Sequence, residues 1–366
     1  YVALIKACIK MKDLERGIKI HTEVSKSGLV VNDPFVRSTL LDMYLKHGAL
    51  MKAQEIFDTI PIQDLISWTA LISAYTRHGY GRKALCCFEK MEAKGISPDV
   101  VTYICVLKAC GNVKSSEKGC EIHAEISRKG LLQKDLVLSS TLIDMHAKCG
   151  FLSIAKEVFD KLIVRDVVSW TTLIMGYVEE ELFDEALNCF DQMQLEGFSL
   201  DSTVFSCSLK ACGCIGAVEK GGYLHLTIER LGLLQKDVML GTSLVDMYCK
   251  CCNLVDAHRV FDQLPNRNVV TWSSIIIGYM QEGLYTTCLQ FFTQMQQEDI
   301  APDVIVFSNV LKACSNLKAL EQGRLVHKQI KRSGFAIELA LAVDLVEFYG
   351  RCRSLEEAHS VFDTVP

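Results

Sequence analysis

Three dodecamers fix the architecture of this chain before its composition is considered. "DLISWTALISAY" starts at Asp64, "DVVSWTTLIMGY" at Asp166 and "NVVTWSSIIIGY" at Asn268, 102 residues apart, and each holds one of the three Trp residues. A period kept without gaps means equivalent pieces in tandem, so the chain is an array and not a set of unrelated domains. The period is itself composite. It divides into segments of 35, 36 and 31 residues: 65–99, 100–135 and 136–166, then 167–201, 202–237 and 238–268. The rotation continues as 269–303, 304–338 and a truncated 339–366. Segments 1–33, lacking its opening residues, and 34–64 come first, giving eleven repeats with no linker or low-complexity tract.

Each repeat has the period of two short helices. In 167–201, Val168, Leu173, Ile174 and Tyr177 are expected on one side of a helix, and the apolar pattern restarts in "FDEALNCFDQMQLEG". Gly28, Gly130, Gly232 and Gly334 stand where a second helix would close, a place that favours glycine. Ala53, Ala155, Ala257 and Ala358 put a small side chain where two helices would cross closely. Helix pairs every 31–36 residues predict an all-α solenoid, in which each pair buries its apolar face only against its neighbours.

Seventeen cysteines would suggest a disulfide or metal framework, but they follow the repeat. Cys8, Cys110, Cys212 and Cys314 end "KAC", and Cys149, Cys251 and Cys352 recur nearly as regularly. No C-x-x-C pair is followed by a second pair or by a spaced His pair. Such cysteines read as small apolar fillers of helix faces, and unpaired thiols suit a reducing compartment. No metal or cofactor is expected. Apolar residues make up 49% of the chain, yet no apolar run approaches the roughly 18 residues of a membrane span. A net charge of −5 argues against non-specific polyanion binding while permitting a local basic stripe. The chain opens at Tyr1, inside a repeat, so any targeting peptide is expected to lie outside this sequence.

Three strings carry a specific resemblance: "SWTALISAYTRHGYGRKALCCFEKMEAKGISPD", "LKACGNVKSSEKGCEIHAEISRKG" and "LVLSSTLIDMHAKCGFLSIAKEVFDKL". In strict rotation they resemble the P, L and S motifs of plant PLS-class pentatricopeptide repeat proteins, over all 366 residues. Tetratricopeptide repeats share the helix-pair plan but hold a uniform period of about 34 residues. The resemblance implies a right-handed superhelix that binds single-stranded RNA, one repeat per nucleotide, 5′ to 3′ from the N-terminus. It also implies that the fifth and last residues of a repeat read the base.

Carried onto the S and P repeats, the reading pairs are Ser38 with Asp64, Thr69 with Asp99, Ser140 with Asp166, and Thr171 with Asp201. Thr242 with Asn268 and Ser273 with Asp303 follow. An ionised Asp only accepts, so it suits a base edge with a ring N–H, whereas Asn can donate to a bare ring nitrogen. A small Ser or Thr leaves room for a purine. Ser or Thr with Asp therefore reads G, and Thr with Asn reads A. The expected target is 5′-?GG?GG?AG-3′. An Asp before a helix is also a common N-cap, and one residue can do both.

The L repeats fit less well. Their fifth residues are Val2, Ile104, Ser206 and Ser308, the last paired with Glu338. Aliphatic side chains cannot hydrogen-bond a base, so these repeats are expected to be weak readers or spacers; Ser206 with Asp237 is an additional candidate for G. Val343 in the final S repeat is likewise off-pattern.

Second residues would sandwich the bases: Phe35, Ile66, Val137, Val168, Met239 and Val270, all apolar. Burial between adjacent repeats would suit the same residues. Lys46, Lys148, Lys250 and Arg351 in S repeats and Arg77 in a P repeat would hold the RNA backbone, or be solvated cations near helix C-termini.

"HAE" at His123–Glu125 raises a zinc-deaminase reading, but that signature needs a P-C-x-x-C that the sequence lacks. His21, His225 and His327 occupy equivalent places, where the Glu is not maintained after His225 and His327, so His123 is expected to pack and the chain not to be an enzyme. PLS repeats resemble the target-selecting part of organellar C-to-U editing factors. The implied partners are a mitochondrial or chloroplast RNA and an editing cofactor protein or deaminase domain. A peptide-binding helical scaffold is the alternative, and it requires no paired hydroxyl and Asp/Asn positions.

Overall fold

The computed structural model describes residues 1–27, 33–61, 63–334 and 339–364. Gly28 and Glu338 fall outside the described residues. Among those described there are 22 α-helices and no strand.

Helix length explains the composite period. The repeat 65–99 holds Leu65–Arg77 and Gly81–Ala93, each of 13 residues. In the 31-residue repeats the first helix keeps 13 residues, as in Leu136–Lys148, while the second shrinks to nine in Leu152–Asp160. The four missing residues are about one helical turn. The short repeats have therefore lost one turn from the second helix. Gly130, Gly232 and Gly334 follow second helices at φ of 60°, 62° and 81°, a left-handed backbone that glycine adopts without strain.

Trp68, Trp170 and Trp272 are buried in first helices and meet the preceding repeat's Phe57, Phe159 and Phe261 edge to face. Ring centroids lie 4.5–4.7 Å apart, the arrangement aromatic quadrupoles favour. The dodecamers recur because each supplies this inter-repeat contact. Val168 departs from the expected helix face, being 58% exposed while Trp170, Leu173, Ile174 and Tyr177 are buried. It lies five residues before Leu173, nearly one and a half turns, so it points the other way.

Ala53, Ala155, Ala257 and Ala358 are buried. Gly119 and Gly221 make a second close approach, where an added Cβ would collide with Met145 Sδ or Met247 Sδ. All seventeen cysteines are free, and burial pushes the thiols of Cys110, Cys212 and Cys314 up to about 12. They are packing atoms at neutral pH.

The chain divides into two compact halves, Tyr1–Glu180 and Glu181–Pro366. Within each, successive first helices pack side by side, and second helices fill in against the first helices of their own and the next repeat. No described helix is long and apolar enough to cross a membrane.

Candidate nucleic-acid interface

Among the described residues, the one closing a repeat is the N-cap of the next first helix, whose opening N–H groups have no helical acceptor. Asp64, Asp99, Asp135, Asp166, Asp201, Asn268 and Asp303 each accept one through Oδ1 at 2.8–2.9 Å, from the third residue of the next repeat. Asp33 and Asp237 accept two each, the shorter at 2.9 Å. One atom of a two-atom group satisfies the helix. At Asp99 both the N–H and the hydroxyl of Thr102 go to Oδ1, and at Asn268 both groups of Thr271 do the same. Asp99 Oδ2 and Asn268 Nδ2 make no hydrogen bond among the described residues. At Asp64 the Ser67 hydroxyl and N–H hold the carboxyl below its ordinary range.

The fifth residues lie near the starts of the first helices. Ser38 is exposed and bonds Phe35 O at 3.2 Å. Ser140, Thr171 and Thr242 turn their hydroxyls back to Leu136, Val167 and Val238 carbonyls at 2.8, 2.6 and 2.9 Å. Ser273 is buried, and Ser206 accepts from Ser243 at 3.3 Å. Thr69 and Thr242 also approach the Thr102 and Thr271 hydroxyls, both at 2.7 Å. In these two repeats one hydrogen-bonded chain joins the fifth residue to the last.

All six second residues are exposed, from 50% at Val270 to 77% at Phe35 and Ile66. The alternative reading of these residues, burial between repeats, therefore does not hold. In the first S repeat Phe35, Ser38 and Asp64 line one cavity of about 450 Å³, with Arg37 and Ser67 beside them. That size lies within the range of small-ligand sites.

The S-repeat cations are not bare. Lys46, Lys148, Lys250 and Arg351 pair with Asp42, Asp144, Asp246 and Glu347 one turn earlier, at 2.7–2.8 Å. The S-repeat stripe is compensated, because each of these four first helices carries its own acid four residues back. Arg77 instead lines a groove of about 430 Å³ with Lys108 and Lys148. Lys108 was not among the expected residues. It belongs to a set, Lys6, Lys108, Lys210 and Lys312, exposed at the ninth position of every L repeat. The signal was the Lys of "KAC", which recurs every 102 residues beside the cysteine. Among the described residues Lys6, Lys108 and Lys210 form no ion pair, while Lys312 lies 3.9 Å from Asp344.

The L-repeat histidines join neighbouring helices. His21, His225 and His327 bond the hydroxyls of Tyr44, Tyr248 and Tyr349 at 2.8, 3.0 and 2.8 Å, and His123 bonds His146 at 3.0 Å. Burial lowers the pKa of His123, and pushes His146 down to about 4. Glu125 is paired with Lys129 at 2.9 Å. Among the described residues no three His, Cys, Asp or Glu side chains are grouped to hold a metal.

Comparison with known proteins agrees with this geometry. Models of the PPR repeat family match residues 63–112, 165–214 and 267–316, and of the single PPR repeat 137–167 and 242–269, together more than half the chain. A chloroplastic pentatricopeptide repeat-containing protein of Arabidopsis thaliana is 34% identical over 100% of this chain and 59% of its own length. A mitochondrial one is 33% identical over 100% of this chain and 65% of its own. The chain thus spans about six tenths of the length of these relatives. The crystal structure of maize PPR10 superposes with a TM-score of 0.71 at 20% identity, covering 100% of this chain and 58% of that one. PPR10 in complex with an 18-nt psaJ RNA element gives 0.75 at 21% identity, over 96% and 53%. The chain belongs to the pentatricopeptide repeat family.

Proposed function

We propose that this chain binds single-stranded RNA in a sequence-specific manner, one nucleotide per repeat, with S and P repeats reading bases. The reading pairs are those named above, and the target is 5′-?GG?GG?AG-3′. One observation carries the proposal: capping commits a single atom of each closing residue, so a second polar atom remains for a base. Asp offers a further acceptor there, which suits guanine N1–H; Asn268 offers Nδ2–H, which suits adenine N1. Exposed second residues supply apolar faces for stacking. L repeats contribute Lys6, Lys108, Lys210 and Lys312 to the phosphates in place of base readers.

The P, L and S rotation supports a place among organellar editing-type factors, and relatives named chloroplastic or mitochondrial fit that reading. In that role the repeats choose a site, and a deaminase domain or partner supplies the chemistry. Selection from a random RNA library tests the binding proposal. Enrichment of the purine-rich consensus, with affinity falling as salt rises, is expected; pyrimidine-rich winners or no enrichment would contradict it.

A further inference from the structure

We infer that Thr102 is a positioning residue, which fixes the proton direction of the base-reading Thr69 and so lets its repeat reject uracil in favour of guanine. The inference rests on the RNA-reading proposal.

Thr102 is fully buried and is the third residue of the helix that Asp99 caps. Its hydroxyl lies 2.7 Å from Asp99 Oδ1 and 2.7 Å from the Thr69 hydroxyl. A carboxylate only accepts, so the single proton of Thr102 goes to Asp99. A contact of 2.7 Å between two hydroxyls needs a proton between them, and only Thr69 can supply it. Thr69 therefore turns its proton inward and presents lone pairs to the groove. Together with Asp99 Oδ2 it offers a pair of acceptors.

Guanine presents adjacent donors, N1–H and the N2 amino group, on its pairing edge. Uracil presents one N–H between two carbonyl oxygens, and either carbonyl would face the Thr69 lone pairs. The locked pair accepts the first base and repels the second. A fifth-position hydroxyl free to rotate could donate to a uracil carbonyl and would discriminate less.

The arrangement recurs with a different closing residue. Thr271, also fully buried, donates toward Asn268 Oδ1 at 3.0 Å and meets Thr242 at 2.7 Å. With the Thr271 proton on Asn268 Oδ1, only Thr242 can supply the proton between the two hydroxyls, and that proton points inward. Asn268 Nδ2 then donates while Thr242 accepts, which matches adenine N1 and its amino group. Among the described residues the other S and P repeats show no such contact to the fifth residue: the Ser67 and Ser169 hydroxyls bond only their own closing residues, Asp64 and Asp166. Val306, at the corresponding place after Asp303, has no hydroxyl.

The experiment compares nonamers of the proposed target carrying G or U at the third position, opposite Thr69 and Asp99. Wild-type protein should prefer G. Thr102→Val, which removes only the hydroxyl from the relay, should cut the G:U affinity ratio about five- to tenfold, the worth of one hydrogen bond, mainly by improving U. Thr102→Ser should restore the ratio, and Val306→Thr should raise it at the repeat of Ser273 and Asp303. An unchanged ratio in Thr102→Val overturns the inference, as does a ratio that Ser does not restore. Asp99→Asn separates the two levels. If it shifts preference away from G while Thr102→Val changes nothing, base reading stands and the relay fails; if neither wild type nor Asp99→Asn shows any preference, both fail.

Discussion

The grooves at Lys108 and Lys312 occupy equivalent places in the repeat and differ in charge. The first gathers Arg77, Lys108 and Lys148 against one acid, Asp144. The second sets Lys312 and Arg351 against Asp344 and Glu347, and is about 80 Å³ where the first is about 430 Å³. Gln281 takes the place of Arg77 there, and Asp344 that of Thr141. Helix pairing needs the buried Trp, Ala and Met side chains to stay alike, whereas exposed positions are free to vary. Repeats identical in fold thus differ in their hold on a polyanion. The hold should be strongest in the N-terminal half.

Charge reversal is the harshest test of that difference. Lys108→Glu should weaken RNA binding roughly tenfold at about 0.1 M salt, whatever the base sequence, because it removes one phosphate contact and adds a repulsion. Lys312→Glu, in a groove already neutral, should cost clearly less. Filter-binding titrations with equal losses for both would erase the distinction. The milder converse is Gln281→Arg, which supplies the missing cation. It should raise affinity a few-fold and steepen the salt dependence by about 0.7 in slope; an unchanged slope would mean that no phosphate passes that site.

The smallest expected effect concerns stability. Burial lowers the pKa of His21, His123 and His225 and pushes His146 and His327 down to about 4. The unfolded chain takes up these protons near pH 6.5 and the folded one does not, so stability should fall as pH drops from about 6.5 to 4. His146→Tyr, which makes this pair like the other three, should shrink that loss. Thermal melting between pH 7.5 and 4.5 reads it directly; a wild-type melting temperature flat across that window would show that the histidines are protonated in the fold.

Much of this was legible in one sequence because a tandem array repeats its own signals. The period exposed the helix pairs, the caps and the packing role of the "KAC" cysteines. Val168 was misplaced because an apolar residue on a solvent face looks like a core residue when only periodicity is weighed. Lys108 was overlooked because its neighbour Cys110 drew the motif into the core, although the two lie on different helix faces. The Thr69–Thr102–Asp99 chain could not be read, since it depends on two hydroxyls 33 residues apart meeting at 2.7 Å. The compensated Lys46 and Lys148 pairs were legible as acid and base four residues apart, but their consequence for a phosphate stripe is electrostatic and needed the geometry.

The claim that closing residues read bases as well as cap helices turns on Asn268, the one amide among them. Its Oδ1 accepts from Thr271 in the same way that Asp99 accepts from Thr102, so Asn268→Asp keeps the cap and changes only the outward atom. Fluorescence anisotropy with two nonamers, A or G at the eighth position, measures the result. The account predicts that wild type prefers A and the variant prefers G, each by about 1–3 kcal/mol or roughly five- to a hundredfold. Equal affinities for both RNAs, before and after the substitution, would contradict it and leave Asn268 as a helix cap alone.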